Sequence, residues 1–156
     1  MTNNLNVLVS DLSASQQNFY LISNVNLMHQ QVPGLNIQVF CENILPFCIK
    51  PNFSVMNVSE AWGQPGPFVA TNFSTAAKIL NYPLATKRLF YVWDLEFLRG
   101  GAYRMYDLYA PTYLNKNLEL VCRSEEHRNM VENAFNREVK HIIPNFNMND
   151  FLDISK

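Results

Sequence analysis

At 156 residues the chain can bury about 70% of its unfolded surface in one core, so a single domain over residues 1–156 is expected. With 48% apolar and 16% charged residues and a formal net charge of −1, it lacks the basic field that draws nucleic acid. It also lacks an apolar run near the ~18 residues of a membrane span. The polar start, residues 1–6, lacks the basic-then-apolar pattern of a signal peptide, and a cytoplasmic protein is expected. Cys41, Cys48 and Cys122 are odd in number and two lie in apolar, strand-like contexts, which points to reduced thiols over a disulfide framework.

Residues 5–10, LNVLVS, read as a first strand. Ser13 and Gln16 have capping-box spacing, which starts a helix at Ala14, with Phe19, Ile22, Val25, Asn26 and His29 at its period and Pro33-Gly34 as its stop. Residues 37–41 form a second strand and residues 53–58 a third. Residues 60–67, with two glycines and two prolines, read as a loop before a short fourth strand at 68–71. A helix from 74 to 80 leads to RLFYVW, residues 88–93, apolar enough for a strand covered on both faces. After Gly100-Gly101 comes a Tyr-rich helix, 102–108, ended before Pro111.

Residues 118–148 carry the clearest unit. A strand at 118–122 precedes Ser124 as helix N-cap, with Glu125 and Glu126 in the first turn. Met130, Val131, Ala134 and Phe135 make an apolar face, Asn136 closes the helix, and a strand at 139–143 stops at Pro144. The alternation predicts an α/β protein with a Rossmann-like, doubly wound, mostly parallel sheet of six or seven strands. Ligands of such sheets gather outside the carboxyl ends of the strands, where the strand order reverses.

Those ends supply the candidates. Ser10, Asp11 and Ser13 open the first helix, where free N–H groups suit an anion or a sugar hydroxyl, or serve as ordinary caps. Asp94 and Glu96 follow a buried strand and are a candidate base and polar clamp; alternatively Asp94 turns the loop and Glu96 pairs with Arg99. Trp62 can stack on a sugar face with Gln64 bonding its hydroxyls, or plug the edge of the core. Arg123 with Ser124 can meet a phosphate at a helix N-terminus, or Arg123 pairs with Glu125 or Glu126. Tyr103, Tyr106 and Tyr109 share a helical face, with Tyr113 beyond Pro111, for packing or for a partner. His29, His127 and His141 show no metal-ligand spacing with any cysteine.

Cys122-Arg123-Ser124 and Ile143-Pro144-Asn145-Phe146-Asn147-Met148, placed around a strand–helix–strand unit, resemble the close of the N-terminal domain of GT-B glycosyltransferases. That domain commonly ends in a phrase close to I-P-N-G-V-D; here Phe146 stands for Gly and Asn147-Met148 for Val-Asp. Trp93-Asp94 is similar to the aromatic or His followed by Asp near the acceptor side of such enzymes, while Ser10-Asp11-Leu12-Ser13-Ala14 stands where their Gly-Gly turn falls. The resemblance implies a glycosyltransferase-like, acceptor-side domain in which Asp94 lines an inter-domain cleft and a glycan or other hydroxyl-bearing acceptor binds without metal. It also implies that a nucleotide-sugar is held mainly by a second domain or subunit, with no cofactor bound by this chain. The alternative is a non-catalytic Rossmann-like module that binds a protein or glycan through the Tyr face and the Trp62 loop.

Overall fold

A computed structural model describes residues 4–99 and 102–156, without the side chains of 102–105. Among these residues seven strands form one sheet: β1 (Asn4–Val9), β2 (Asn36–Cys41), β3 (Val55–Asn57), β4 (Gly66–Ala70), β5 (Ala85–Val92), β6 (Glu119–Cys122) and β7 (His141–Ile142). Their order is β3-β2-β1-β4-β5-β6-β7, and every pairing is parallel. The protein is therefore α/β with a Rossmann-like, doubly wound sheet. The helices are α1 (Gln16–Gln31), α2 (Phe73–Ile79), α3 (Ala102–Tyr113), α4 (Glu125–Phe135) and α5 (Met148–Ile154). None is long and apolar enough to cross a membrane.

Side chains alternate between two cores, as the pleat of a strand requires. Leu5, Val7, Val9, Ile37, Val39, Val69, Leu89, Tyr91 and Val121 pack with α1 and α5 on one face. Leu8, Phe40, Phe68, Ala70, Phe90, Val92 and Leu120 pack with α2, α3 and α4 on the other. Both faces are buried, which explains near-continuous apolar strands such as RLFYVW.

Several boundaries depart from expectation. The N-cap of α1 is Ser15, whose hydroxyl accepts the Asn18 N–H at 3.1 Å, because Ser13 is engaged by Asp11. The buried face of α1 is Asn18, Leu21, Ile22, Val25 and Met28, so Phe19 is exposed and His29 lies at its flank, stacked on Phe53 at 6.4 Å. Residues 60–67 are not all loop: Val58–Gly63 is a 3₁₀ helix and β4 begins at Gly66. The register shifts between Gly66 and Pro67, so a proline enters a central strand at a bulge, and Gly66 adopts φ 112°, open to glycine. The buried Asn6 of β1 holds this entry, donating from Nδ2 to the carbonyls of Pro65 (3.1 Å) and Pro67 (3.3 Å).

Helix α3 runs through Pro111 to Tyr113. Asp107 and Pro111 are both exposed, so the carbonyl that proline leaves without a partner faces water, while Tyr109, Thr112 and Tyr113 anchor the last turns in the core. The expected Tyr face is turned inward only in part: Tyr109 and Tyr113 are buried, Tyr106 stacks on Phe135 at 5.6 Å but stays exposed, and the Tyr103 side chain lies outside the described residues, as do Gly100 and Gly101. Ser124 and Asn136 cap α4 as expected, the latter at φ 47°, although Met130 is exposed. Only His141 and Ile142 of the expected strand at 139–143 pair with β6.

The turn after β7 was legible as a stop, but α5 behind it was not. Asn145 (φ 51°) and Phe146 (φ 55°) are both left-handed. A phenylalanine is unfavourable there, and its burial compensates: Phe146 packs on Tyr91 (4.6 Å), Trp93 (6.0 Å) and Phe151 of α5 (5.7 Å). The Tyr91 hydroxyl closes the arrangement, donating to the Ile143 carbonyl at 2.6 Å and accepting the Phe146 N–H at 3.4 Å. Phe146→Gly would relieve the backbone but empty this cluster, with an expected net loss of about 2–4 kcal/mol of stability in urea unfolding. A variant as stable as the wild type would show that the ring does not hold the turn.

Candidate functional site

A cavity of about 210 Å³ opens outside the carboxyl ends of β1, β4 and β5. It lies at the switch point, where α1 leaves β1 over one face of the sheet and α2 leaves β4 over the other. Ser10, Asp11 and Ser13 line it from β1, Thr71 and Asn72 from β4, and Asp94 and Glu96 from the segment after β5. Five of the nine expected site residues thus meet in one cavity.

Its first wall is internally bonded. Asp11 Oδ1 accepts from the Ser13 N–H (2.8 Å), the Ser13 hydroxyl (2.5 Å) and Asn18 Nδ2 (3.5 Å), and Asn18 also donates to the Ser13 carbonyl at 2.8 Å. With Ser15 on the Asn18 N–H, the start of α1 already faces a carboxylate and a hydroxyl where nucleotide-binding sheets of this topology in general place phosphate. Asn18 escaped the sequence reading. A single polar residue on the otherwise apolar face shared with Leu21, Ile22 and Val25 is the signal that could have found it.

The second wall is the start of α2. Asn72 caps it, accepting the Thr75 N–H at 2.8 Å, and reaches across the switch point to donate to Ser10 Oγ at 2.5 Å. Thr71 donates its hydroxyl to the Leu8 carbonyl at 2.9 Å, tying β4 to β1. Glu96 supplies the third wall, its Oε2 accepting the Phe73 N–H at 3.0 Å. The expected Glu96–Arg99 pair does not form; Arg99 pairs with Asp94, both at the surface. Burial pushes the Glu96 carboxyl above its ordinary range, and the Phe73 hydrogen bond offsets part of this.

Arg123 and Ser124 lie at the end of β6 and do not line the cavity. Arg123 sits over the Trp93 ring, its Cζ 4.8 Å from the centroid, and donates from Nε to His127 Nε2 at 3.0 Å. It pairs with neither Glu125 nor Glu126; Arg128 takes Glu125. A guanidinium only donates, so His127 Nε2 is an acceptor and the ring proton is on Nδ1, directed at Ser124 Oγ 2.9 Å away. Burial, then Arg123, pushes the His127 pKa down, consistent with the neutral ring. Ser124 and His127 are therefore not a nucleophile and its base: the basic nitrogen faces Arg123.

Trp62 and Gln64 also lie away from the cavity; Trp62 is 54% exposed and meets Tyr82 edge-on at 5.7 Å. Burial raises the Cys41 and Cys122 thiols to about 12, so both are poor nucleophiles. Among the described residues no group of three His, Cys, Asp or Glu side chains is placed to hold a metal ion. No protein-family model, curated protein or solved structure matches the chain.

The raised Glu96 carboxyl has a testable sign. A carboxyl whose folded pKa lies above its unfolded value costs stability as pH rises through that interval, because the folded state must ionise a buried acid. Glu96→Gln keeps an oxygen for the Phe73 N–H and removes the ionisation. Its stability relative to wild type is therefore expected to improve between acidic and neutral pH in urea titrations; a pH-independent difference would contradict the burial argument.

Proposed function

We propose that this chain is the acceptor-side domain of a glycosyltransferase-like protein, with the switch-point cavity as the site for a hydroxyl-bearing acceptor. The observation that carries the reading is the character of the lining: carboxylates Asp11, Asp94 and Glu96 with the hydroxyls and amides of Ser10, Ser13, Asn18 and Asn72, and no cation among the described lining residues, Arg99 meeting Asp94 from outside them. Such a lining suits neutral hydroxyls, which donate to carboxylates and accept from amides, and it disfavours a diphosphate. The donor's nucleotide then belongs to a second domain or subunit, in keeping with the resemblance of residues 118–148.

In this reading Asp94, the carboxylate at the mouth, accepts the proton of the acceptor hydroxyl as its oxygen bonds to the anomeric carbon and the nucleotide diphosphate departs. Glu96 and Asn72 orient neighbouring hydroxyls from deeper in the cavity, and Ser10 and Asp11 complete the rim. Trp62, Gln64, Arg123 and Ser124 take no part at this site.

A second reading, a non-catalytic module that docks a protein, is favoured by one observation. Ile44, Leu45 and Phe47, on the loop after β2, and Leu98, after β5, are exposed on the carboxyl side of the sheet. Such a rim suits a covering partner in either reading.

Calorimetric titration with simple sugars, UDP and GDP separates them. Sugar binding by the wild type, loss of at least about tenfold in affinity in Asp94→Ala, and no binding of either nucleotide are expected. Tight UDP or GDP binding by this chain would overturn the assignment of the donor site elsewhere. Absence of sugar binding would favour the docking module.

A further inference from the structure

Trp62, a candidate sugar platform in the sequence, does not line the switch-point cavity. It stands on the 3₁₀ helix Val58–Gly63 and is 54% exposed, yet it is not a loose surface side chain. Its ring meets Tyr82 at 5.7 Å and 71°, and Tyr82, buried, meets Phe68 of β4 at 5.2 Å and 76°. The indole is thus propped outward by a ring that the sheet itself holds in place. Beside it is a hollow of about 320 Å³ lined by Val58, Ser59, Trp62, Lys78, Asn81 and Tyr82.

The floor of this hollow is aromatic and aliphatic, and its rim carries a hydroxyl, an amide and an ammonium. Lys78 is neutralised by Glu42, so the rim offers hydrogen bonds without net charge. A flat apolar platform edged by neutral polar groups matches the two-sided chemistry of a pyranose, whose C–H face stacks on an indole while its hydroxyls reach outward. A gluco-configured β-linked ring fits best, because all its hydroxyls are equatorial and both faces present only C–H groups. The cavity and the hollow lie at opposite ends of α2: Asn72, its N-cap, lines the first, and Lys78 and Asn81 line the second. Seven helical residues separate them by about 10 Å.

We propose that the Trp62–Tyr82 hollow is a second saccharide subsite, separate from the switch-point cavity, which takes a gluco-configured pyranose of a longer glycan. The carbohydrate reading above supports the class of ligand, but the hollow is tested independently of the cavity. The probe is cellotetraose, titrated into ¹⁵N-labelled protein while the two tryptophan indole N–H resonances are followed, with Trp62→Ala assigning them.

Saturable shifts of the Trp62 indole and the Asn81 side-chain amide are expected, both retained in Asp94→Ala, and the Asn81 shift is retained more weakly in Trp62→Phe. The Asn81 shift should vanish in Trp62→Ala, a variant at an exposed position whose remaining backbone resonances report that the fold is kept. A Trp62 resonance that does not move overturns the proposal, as does a shift that Asp94→Ala abolishes. If the cavity binds no sugar and the Trp62 shift persists, the function assigned to Asp94 fails while the subsite stands.

Discussion

The reversal of strand order at β1 and β4 is the constraint on which the rest of the structure depends. Because α1 and α2 leave these neighbouring strands for opposite faces, their first turns diverge and leave a gap above the sheet that neither helix can fill. The chain closes the gap's walls with side chains that bridge the two strands, Asn72 to Ser10 and Thr71 to the Leu8 carbonyl, and leaves the middle open. Lower in the same pair of strands, Asn6 holds the bulged start of β4. The site is a by-product of topology, given chemical character by a few polar residues.

Much of the fold was legible because a parallel sheet covered on both faces leaves long apolar runs. Those runs appear as Leu5–Val9, Phe68–Ala70 and Leu89–Val92 in the two cores. The caps at Ser124 and Asn136 were also local, set by the hydrogen bonds and backbone of a few residues. What escaped was set at long range. Pro111 reads locally as a helix stop, but the buried Tyr109, Thr112 and Tyr113 carry α3 past it. Pro67 reads as loop, but a bulge lets it enter a central strand beside β1.

The cavity was half legible for the same reason. Strand ends identify Ser10, Asp11, Asp94 and Glu96 without knowledge of strand order, and they converge. Which ends converge depends on that order, so Arg123 and Ser124 at the end of β6 were indistinguishable from them in the sequence. Trp62 is a different case, since its place beside Tyr82 follows from the path of a short 3₁₀ helix that residue types alone did not indicate.

Asp11 has a consequence beyond shape. Its carboxylate takes three hydrogen bonds at the start of α1 and so acts as a resident anion bound by the fold's own donors. A diffusing anion would have to displace a covalently tethered one, at an effective concentration no free ligand matches. Added salt would therefore screen a repulsion at this site, and an anionic acceptor would bind more tightly as ionic strength rises, the reverse of the behaviour of sheets that hold phosphate there.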